Sequence, residues 1–371
     1  MKSVAGLIVW AAALTLALSS VFIAADTGRT LDIYFVDVEG GQATLIVTPA
    51  GESLLVDTGF AGFDGRDAGR IVAAAHDAGI TRIDYLLLTH FHWDHDGGVV
   101  ELARQMPIRT FFDAGDVNRT PAALAGPRWA ATLDRYNAYL PVRAEGVHVV
   151  PKPGDRLPLQ RVDVTFVSSS GATITHALPG GGHVNAQCEA TAPPPDDPFE
   201  NPRSIGFVMQ FGRFRFLDLG DLSGTPLFAL LCPSSLIGPV DLYLVPHHGG
   251  RDVAYRATFA GLRSRVAIVN NGVVKGGSPE IFAALRRAPG LDAAWQLHTS
   301  MNGGNLSDSH IANLDETTAH WIKASAQESG AFTVTNGRTG ITESFATHTT
   351  PAAGPVSSLS LDRASAVTLE F

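Results

Sequence analysis

The pattern of apolar and polar residues predicts strands and a helix in the first part of the chain. Residues 31–38 (LDIYFVDV) and 43–59 (ATLIVTPAGESLLVDTG) group β-branched and apolar residues around the turn PAGE, which predicts strands joined in a hairpin. Residues 66–80 (RDAGRIVAAAHDAGI) have apolar positions at helical spacing and a glycine near the end, which is typical of a helix. Residues 82–90 (RIDYLLLTH) form an almost continuous apolar run, which indicates a buried strand.

The rest of the chain also mixes the two element types. Residues 99–146 are predicted to be largely helical with proline breaks, and strands return after them. Further strands are predicted at 204–222, 240–250 and 265–272, helices at 278–290 and 317–329, and a closing hairpin at 331–345. This order predicts an α/β (α+β) protein with two βαβ-type layers packed sheet on sheet and helices outside.

Two segments interrupt this pattern. Residues 171–203 are rich in glycine and proline and have little periodicity, so we expect a long loop, either functional or disordered. Residues 347–371 are expected to be an irregular C-terminal extension, in which AVTLEF could add a short strand. One domain is therefore expected over residues 26–346.

The first 25 residues resemble a secretory signal peptide. One lysine precedes an apolar run from Val4 to Leu18, and small residues follow before Asp26. Cleavage near Ala25 predicts a secreted or periplasmic protein without membrane contact. An uncleaved N-terminal membrane anchor is the alternative, because the apolar segment is nearly long enough to span a bilayer.

Composition and charge limit the classes of function. Apolar residues make up 45% of the 371 residues and charged residues 17%, which is sufficient for a globular core. The net charge of -9 provides no broad basic field, so extended nucleic-acid binding is not expected, although a groove for one phosphate is compatible with it. Cys188 and Cys232 could form one bridge in an oxidising compartment, or remain two buried thiols.

The most informative segment is LTHFHWDHDGG, residues 88–98. A strand ending in LTH brings His90 to the mouth of a sheet, His92 points the same way if the chain stays extended, and Asp94 and His95 follow as the chain turns. A histidine-rich surface loop, or histidines bonded singly in the core, would explain one or two of these residues. Four potential ligands within six residues are costly to bury without a cation, and they suit zinc. Gly97 and Gly98 permit tight backbone geometry beside them.

These motifs resemble the metallo-β-lactamase superfamily. HFHWDH fits its HxHxDH signature, and LLVDTG places Asp57 where the family has a residue that supports the site. FLDLGDL places Asp221 at the metal-bridging position, and VPHHGG places His247 at a further metal histidine. Over roughly residues 31 to 300 the chain is most similar to the hydrolase domain of the competence protein ComEC and its free-standing relatives.

The resemblance implies a four-layer αββα sandwich with a dinuclear site at its edge. One ion would be held by His90 and His92, and Asp221 would lie between this ion and the second one. The implied ligands of the second ion are Asp94, His95 and His247. We expect one or two zinc ions per chain, with manganese or iron as alternatives.

Several positions are less well defined by the sequence. Because neighbouring residues on an extended segment face opposite ways, we favour His247 as a ligand and His248 as a substrate-facing or supporting residue. Many superfamily members have another histidine where this chain reads VTFVSSSG. The missing ligand could be His176 or His183 of the long loop, or one metal position could be weak or empty.

Candidate catalytic residues follow from these positions. Asp94 could orient the attacking hydroxide and carry a proton, as in the family, and His248 could face the substrate. Lys275 could hold an anionic substrate group, although an exposed lysine is usually a solvated charge. His298 follows another strand-like segment, so it either lines the pocket or is a packed, hydrogen-bonded histidine.

The predicted function is hydrolysis by a metal-activated water. A small molecule carrying a phosphoester or phosphodiester is the favoured substrate, and a lactone, β-lactam or other ester is the alternative. A noncatalytic binding protein stabilised by its metal ions is a further alternative. Open metal coordination would favour catalysis, because structural zinc sites are normally closed by four protein ligands.

Overall fold

A computed structural model describes residues 29–188 and 197–346. Its helices α1 to α7 and strands β1 to β20 are numbered in chain order. The helices are α1 Arg66–Asp77, α2 Val99–Ala103, α3 Pro121–Leu124, α4 Trp129–Arg143, α5 Gly224–Leu231, α6 Arg256–Leu262 and α7 Pro279–Leu285. The first ten strands are β1 Leu31–Phe35, β2 Thr44–Val47, β3 Ser53–Val56, β4 Ile83–Leu87, β5 Ile108–Phe112, β6 Val147–Val149, β7 Arg156–Leu157, β8 Asp163–Ser169, β9 Ala172–Thr173 and β10 His183–Val184. The others are β11 Gly206–Phe211, β12 Phe214–Asp218, β13 Ser234–Ser235, β14 Leu242–Leu244, β15 Val266–Val269, β16 Ala293–His298, β17 Ile311–Asn313, β18 Ile322–Ala326, β19 Phe332–Asn336 and β20 Thr342–Phe345.

Two nine-stranded sheets form the body of the molecule. The first has the order β20-β19-β18-β1-β2-β3-β4-β5-β6, and the second has the order β17-β16-β15-β14-β12-β11-β8-β7, with β9 paired to β8. Within the first sheet β3, β4, β5 and β6 are parallel, and within the second β12, β14, β15, β16 and β17 are parallel. A separate pair is formed by β10 and β13.

Three layers of apolar side chains hold the sheets and helices together. Phe35 of the first sheet packs against Phe216 of the second, with ring centroids 6.0 Å apart, in a core between the two sheets. Apolar residues of α1, α2 and α4 cover the outer face of the first sheet, and those of α5, α6 and α7 cover the second. The predicted four-layer αββα sandwich is confirmed.

Most predicted elements are present, and two predictions are wrong. Within 99–146 the chain forms not only helices but also β5. This strand pairs with β4, and its Phe111 and Phe112 side chains are buried. The helix predicted at 317–329 is instead β18, whose side chains alternate between buried and partly exposed. The helix at 278–290 is present as α7, where the Ser278 hydroxyl accepts a hydrogen bond from the Ile281 backbone N–H and Pro279 starts the first turn.

Over its described part the long loop is attached to helices α5 and α6, which cover the second sheet. Cys188 and Cys232 form a disulfide, and the Asn185 side-chain amide donates to the carbonyl oxygens of Leu231 and Ala257 at 3.1 and 2.7 Å. The predicted leader and the C-terminal extension lie outside the described residues. In the described parts of the chain, no helix is long and apolar enough to cross a membrane.

The disulfide should contribute measurably to stability. Because it closes a loop over a sequence separation of 44 residues, replacing both cysteines by serine is expected to lower the free energy of unfolding by about 4 kcal/mol. Chemical denaturation of the wild type and of the double variant measures this difference. Equal unfolding midpoints with equal slopes would show that the bridge does not stabilise the fold.

Candidate metal centre

The candidate site lies where parallel strands of both sheets end. Asp57 follows β3 and His90 follows β4 in the first sheet, while Asp221 follows β12 and His248 follows β14 in the second. Ligand sites of α/β proteins collect at the carboxyl ends of strands, where loops can bring side chains together. Backbone hydrogen bonds join these loops, with the Ile205 N–H donating to the Thr89 carbonyl and the His247 N–H donating to the Gly220 carbonyl.

Asp94, His95, Asp221 and His248 form one compact group of ligand atoms. His95 Nε2 lies 3.2 Å from His248 Nε2, 3.3 Å from Asp94 Oδ2 and 3.2 Å from Asp221 Oδ2. His248 Nε2 lies 3.0 Å from Asp94 Oδ2 and 3.3 Å from Asp221 Oδ1. Tetrahedral ligands of zinc are separated by roughly 3.3 Å, so these spacings fit one ion.

A second group consists of His90, His92 and Asp221. His90 Nε2 is 2.9 Å from His92 Nδ1 and 3.8 Å from Asp221 Oδ2. Asp221 therefore belongs to both groups, with Oδ2 near His90 and His95 and Oδ1 near His248. A carboxylate in this position can bridge two cations, so the site has the capacity for two ions.

Asp57 and Thr89 fix the orientation of the His95 ring. The backbone N–H and the hydroxyl of Thr89 donate to Asp57 at 2.7 Å each, and His95 Nδ1 lies 2.7 Å from Asp57 Oδ2. With Nδ1 bonded to this carboxylate, His95 Nε2 is directed into the cluster. Metal-bound histidines are commonly held in this way, which gives Asp57 the supporting position predicted for it.

Burial and charge prepare these side chains for a cation. Burial lowers the pKa of His92 to about 3 and holds the pKa of His90 well below its usual range, so both rings are neutral. Burial also lowers the pKa of His95, but the carboxylates of Asp221 and Asp57 raise it to about 10. In the metal-free site the proton on His95 thus balances buried negative charge, and a divalent ion could replace it.

The buried carboxylate oxygens give a direct test of metal fit. Among the described residues, Asp221 Oδ1 is buried without a hydrogen bond of good geometry, although His248 Nε2 lies 3.3 Å from it, whereas Asp94 Oδ2 has the Lys275 ammonium as a charged neighbour. Buried charged atoms without hydrogen bonds are costly unless a cation compensates them. The imidazole and carboxylate donors are also the types that zinc, manganese and iron accept. The residues therefore fit a metal centre.

The structure brings His248, rather than His247, into the group of Asp94. His248 is buried within the group of Asp94, whereas the His247 side chain is 29% exposed and its Nδ1 lies 2.7 Å from Asp252 Oδ2. The segment is not extended here, because His247 and His248 both have positive φ values, 51° and 53°, inside a 3-10 turn. His248 is thus the candidate ligand of the Asp94 group, in place of His247.

His298 does not line the metal site. Its fully buried ring lies 2.6 Å from Asp37 Oδ1 and 3.3 Å from Glu39 Oε2, and Arg70 pairs with both carboxylates at 2.7 and 2.9 Å. The packed, hydrogen-bonded alternative describes this histidine, since its partners belong to a separate buried ion network. Lys275 does reach the site, where its ammonium contacts Asp94 Oδ2.

The loop histidines lie apart from both groups. His176 is exposed and its Nδ1 is 2.9 Å from the Thr175 hydroxyl, while His183 is exposed on β10. At the end of β8 the Ser168 hydroxyl donates to the Ser204 carbonyl at 2.9 Å, so it does not face a metal position. The two glycines after the motif are required, because a Cβ at Gly97 or Gly98 would overlap backbone carbonyl oxygens.

Sequence reasoning missed three neighbours of the cluster. Thr89 bonds Asp57, Asp252 bonds His247, and the Asn201 side-chain nitrogen lies 3.3 Å from His247 Nε2. Asp252 follows the histidine pair closely enough to suggest a partner. Asn201 lies in the aperiodic loop, where no pattern indicates its position.

A known protein family and a known bacterial protein each match part of the chain. Residues 36–188 match the family model described as "Metallo-beta-lactamase superfamily", which agrees with the resemblance found in the sequence motifs. A hydroxyacylglutathione hydrolase from Acidiphilium cryptum (strain JF-5) is 34% identical over 91 residues, which are 24% of this chain and 34% of that protein. The match thus spans about a third of the length of this relative.

The solved structures that resemble the chain weakly include two bacterial proteins. The metallo-beta-lactamase fold protein YhfI from Bacillus subtilis superposes with a TM-score of 0.45 at 10% identity, over 72% of this chain and 96% of that one. CmlA, a diiron beta-hydroxylase from Streptomyces venezuelae, has a TM-score of 0.40 at 14% identity, over 72% and 52%.

Metal removal and one substitution test the site. The wild type should bind two divalent ions per chain. A free ion concentration of about 100 times the dissociation constant should raise the free energy of unfolding by about 2.7 kcal/mol per site.

The substitution Asp221→Asn should weaken both sites, because both groups share this carboxylate. Metal analysis and denaturation with and without chelator measure this. Asp163→Asn, on an exposed part of β8, is the matched control. Unchanged binding in Asp221→Asn would contradict the shared carboxylate.

Proposed function

We propose that the protein is a metal-dependent hydrolase of phosphoesters or phosphodiesters. The segment that matches the metallo-β-lactamase superfamily contributes residues to a buried site with room for two ions. The observation that carries this proposal is the sharing of Asp221 between two ligand groups. A metal that only stabilises the fold needs one closed group of four protein ligands. Two groups of ligand residues that share one carboxylate instead favour a catalytic metal site over a noncatalytic binding protein that its metal ions stabilise.

Zinc is the proposed metal, with manganese or iron as alternatives. His90, His92 and Asp221 would hold one ion, and Asp94, His95, Asp221 and His248 the other. Bound divalent ions lower the pKa of water to near neutrality and stabilise negative charge on the substrate.

The protein's own residues position these groups and move the proton. Asp57 keeps His95 Nε2 directed inward, so the second group is assembled before substrate arrives. Asp94 directs Oδ2 into the cluster as a candidate ligand, and its second carboxylate oxygen would accept a proton from the attacking water and return it to the leaving group. The apolar core beneath the loops keeps water out of the site from the sheet side.

Lys275 supports an anionic substrate. Its ammonium contacts Asp94 Oδ2 and lies 5.8 Å from the centroid of the Phe60 ring, and the Lys275 side chain is 31% exposed. Once Asp94 serves as a metal ligand, its charge no longer requires Lys275, so the ammonium is available for a phosphate group. The Trp93 ring, 5.0 Å from Phe60 and 52% exposed, adds an apolar surface for an organic substituent.

Other ester classes form the second candidate function. The relative named hydroxyacylglutathione hydrolase favours a thioester, and lactones and β-lactams belong to the same chemical range. The likeness of the motifs to ComEC-type hydrolases, together with Lys275, favours the phosphodiester. The net charge of -9 suits a small phosphodiester better than a long nucleic acid.

We also propose that the protein is exported to the periplasm or secreted, free of the membrane after cleavage of its leader. The disulfide between Cys188 and Cys232 supports this, because such bridges persist in oxidising compartments.

Turnover of bis-p-nitrophenyl phosphate tests the reaction class. The metal-loaded wild type should release p-nitrophenol, and chelation should remove this activity. Asp94→Asn should lower kcat at least about 100-fold, beyond the loss typical of a residue that only orients a ligand. Asp163→Asn should retain wild-type rates. If only thioesters, lactones or β-lactams are cleaved, the second candidate function is correct. If none of the four classes is cleaved, the binding-protein alternative is favoured.

A charge-specific substitution tests the role of Lys275. Lys275→Met should raise KM for bis-p-nitrophenyl phosphate by about tenfold or more, because a hydrogen bond to a charged group contributes about 1.5–3 kcal/mol. KM for the neutral ester p-nitrophenyl acetate should hardly change, and Lys275→Arg should restore much of the lost affinity. Lys152→Met, at an exposed position, is the control. Equal effects on the anionic and neutral esters would exclude anion binding by Lys275.

A further inference from the structure

The group around His90 and His92 offers one candidate ligand fewer than the group around Asp94. It contains two histidines and the shared carboxylate of Asp221. The end of β8 offers only serines, and Ser168 is bonded to a backbone carbonyl. A further nitrogen donor for this group would therefore come from another segment.

His247 lies beside this group. Its Nε2 is 3.8 Å from Asp221 Oδ2, the same oxygen that His90 Nε2 approaches at 3.8 Å. His247 Nδ1 is 2.7 Å from Asp252 Oδ2, so Nε2 is the nitrogen on the side of the cluster. A carboxylate that binds the outer nitrogen of a histidine is the usual support of a metal ligand.

The backbone turn explains how two adjacent histidines can serve two groups. Positive φ at His247 and at His248 is unusual for residues other than glycine and is energetically unfavourable. Such strain persists where surrounding contacts impose it. Here the His247 N–H donates to the Gly220 carbonyl at 3.1 Å, and the Gly277 N–H donates to the His248 carbonyl at 2.8 Å. The turn therefore brings both imidazoles to the same carboxylate, with His247 near Oδ2 and His248 near Oδ1 of Asp221.

We propose that His247 is the third imidazole ligand of the His90 and His92 group and replaces the histidine missing after β8. This rests on the two-ion centre of the proposed function, but not on its substrate. His247 lies outside the set whose ligand atoms are all within 4.8 Å, so its ring must move inward when the ion binds. Its 29% exposure gives room for this movement, and Asn201, 3.3 Å from Nε2, would give up its contact.

Metal titration without substrate tests this assignment. A chelator first removes metal from the protein, and the fold of the metal-free protein is checked. Zinc binding is then measured by calorimetric titration and by elemental analysis after dialysis. The absorption spectrum of the Co²⁺-loaded protein reports the number of ligands. The wild type should bind two ions. His247→Ala and the better-tolerated His247→Gln should retain one tightly bound ion and weaken the other at least about 100-fold, because they remove a direct ligand. Asp252→Asn should weaken the same ion by about 10- to 100-fold.

Matched variants separate the two ions. His248→Ala should weaken the ion of the Asp94 group instead, and His176→Ala, an exposed loop histidine, should bind both ions as the wild type does. The proposal is overturned if folded His247→Gln binds two ions with wild-type affinity, or if the wild type binds only one. If the wild type binds two ions, His247→Gln binds one, and no ester is cleaved, the hydrolase proposal fails while the ligand assignment stands.

Discussion

The whole site depends on the burial of the Asp221 carboxylate among imidazoles. Burial raises its pKa, but neighbouring histidines hold the pKa well below its usual range, so the group stays charged inside the protein. A charge buried in this way needs compensation from several directions. The two sheets supply it, because His90 and His95 come from a loop of the first sheet and His248 from a loop of the second. The sandwich is thus the means by which distant histidines reach one carboxylate.

Most of this centre can be predicted from the sequence, because its ligand residues come directly after apolar strands. His90, His92, Asp94 and His95 are close in sequence and remain close in space. Asp221 could be identified because FLDLGDL, at the end of an apolar strand, resembles the family motif that carries the metal-bridging aspartate. The order of His247 and His248 could not be predicted, since alternation assumes an extended chain and both residues have left-handed backbone geometry.

The fold was predictable to a similar degree. Apolar runs indicated the buried strands, but the segment around Ile322 was predicted as a helix because its local composition suits one. Pairing with β1 on one side and β19 on the other makes it a strand, and this pairing is a tertiary effect that a local pattern does not contain. His298 illustrates a different limit. A strand end brings a histidine to the correct edge of the sheet, yet its partner Asp37 directs it into a separate ion network.

The position of β18 also has a consequence for the order of folding. Leu31, near the start of the described chain, pairs with Ala326, almost three hundred residues later, so β1 lacks one neighbour until the late strands exist. Contacts between such distant segments make folding slow, since the intervening chain must be brought together first. During synthesis the first sheet therefore has an unpaired edge at β1 until the residues of β18 have been made.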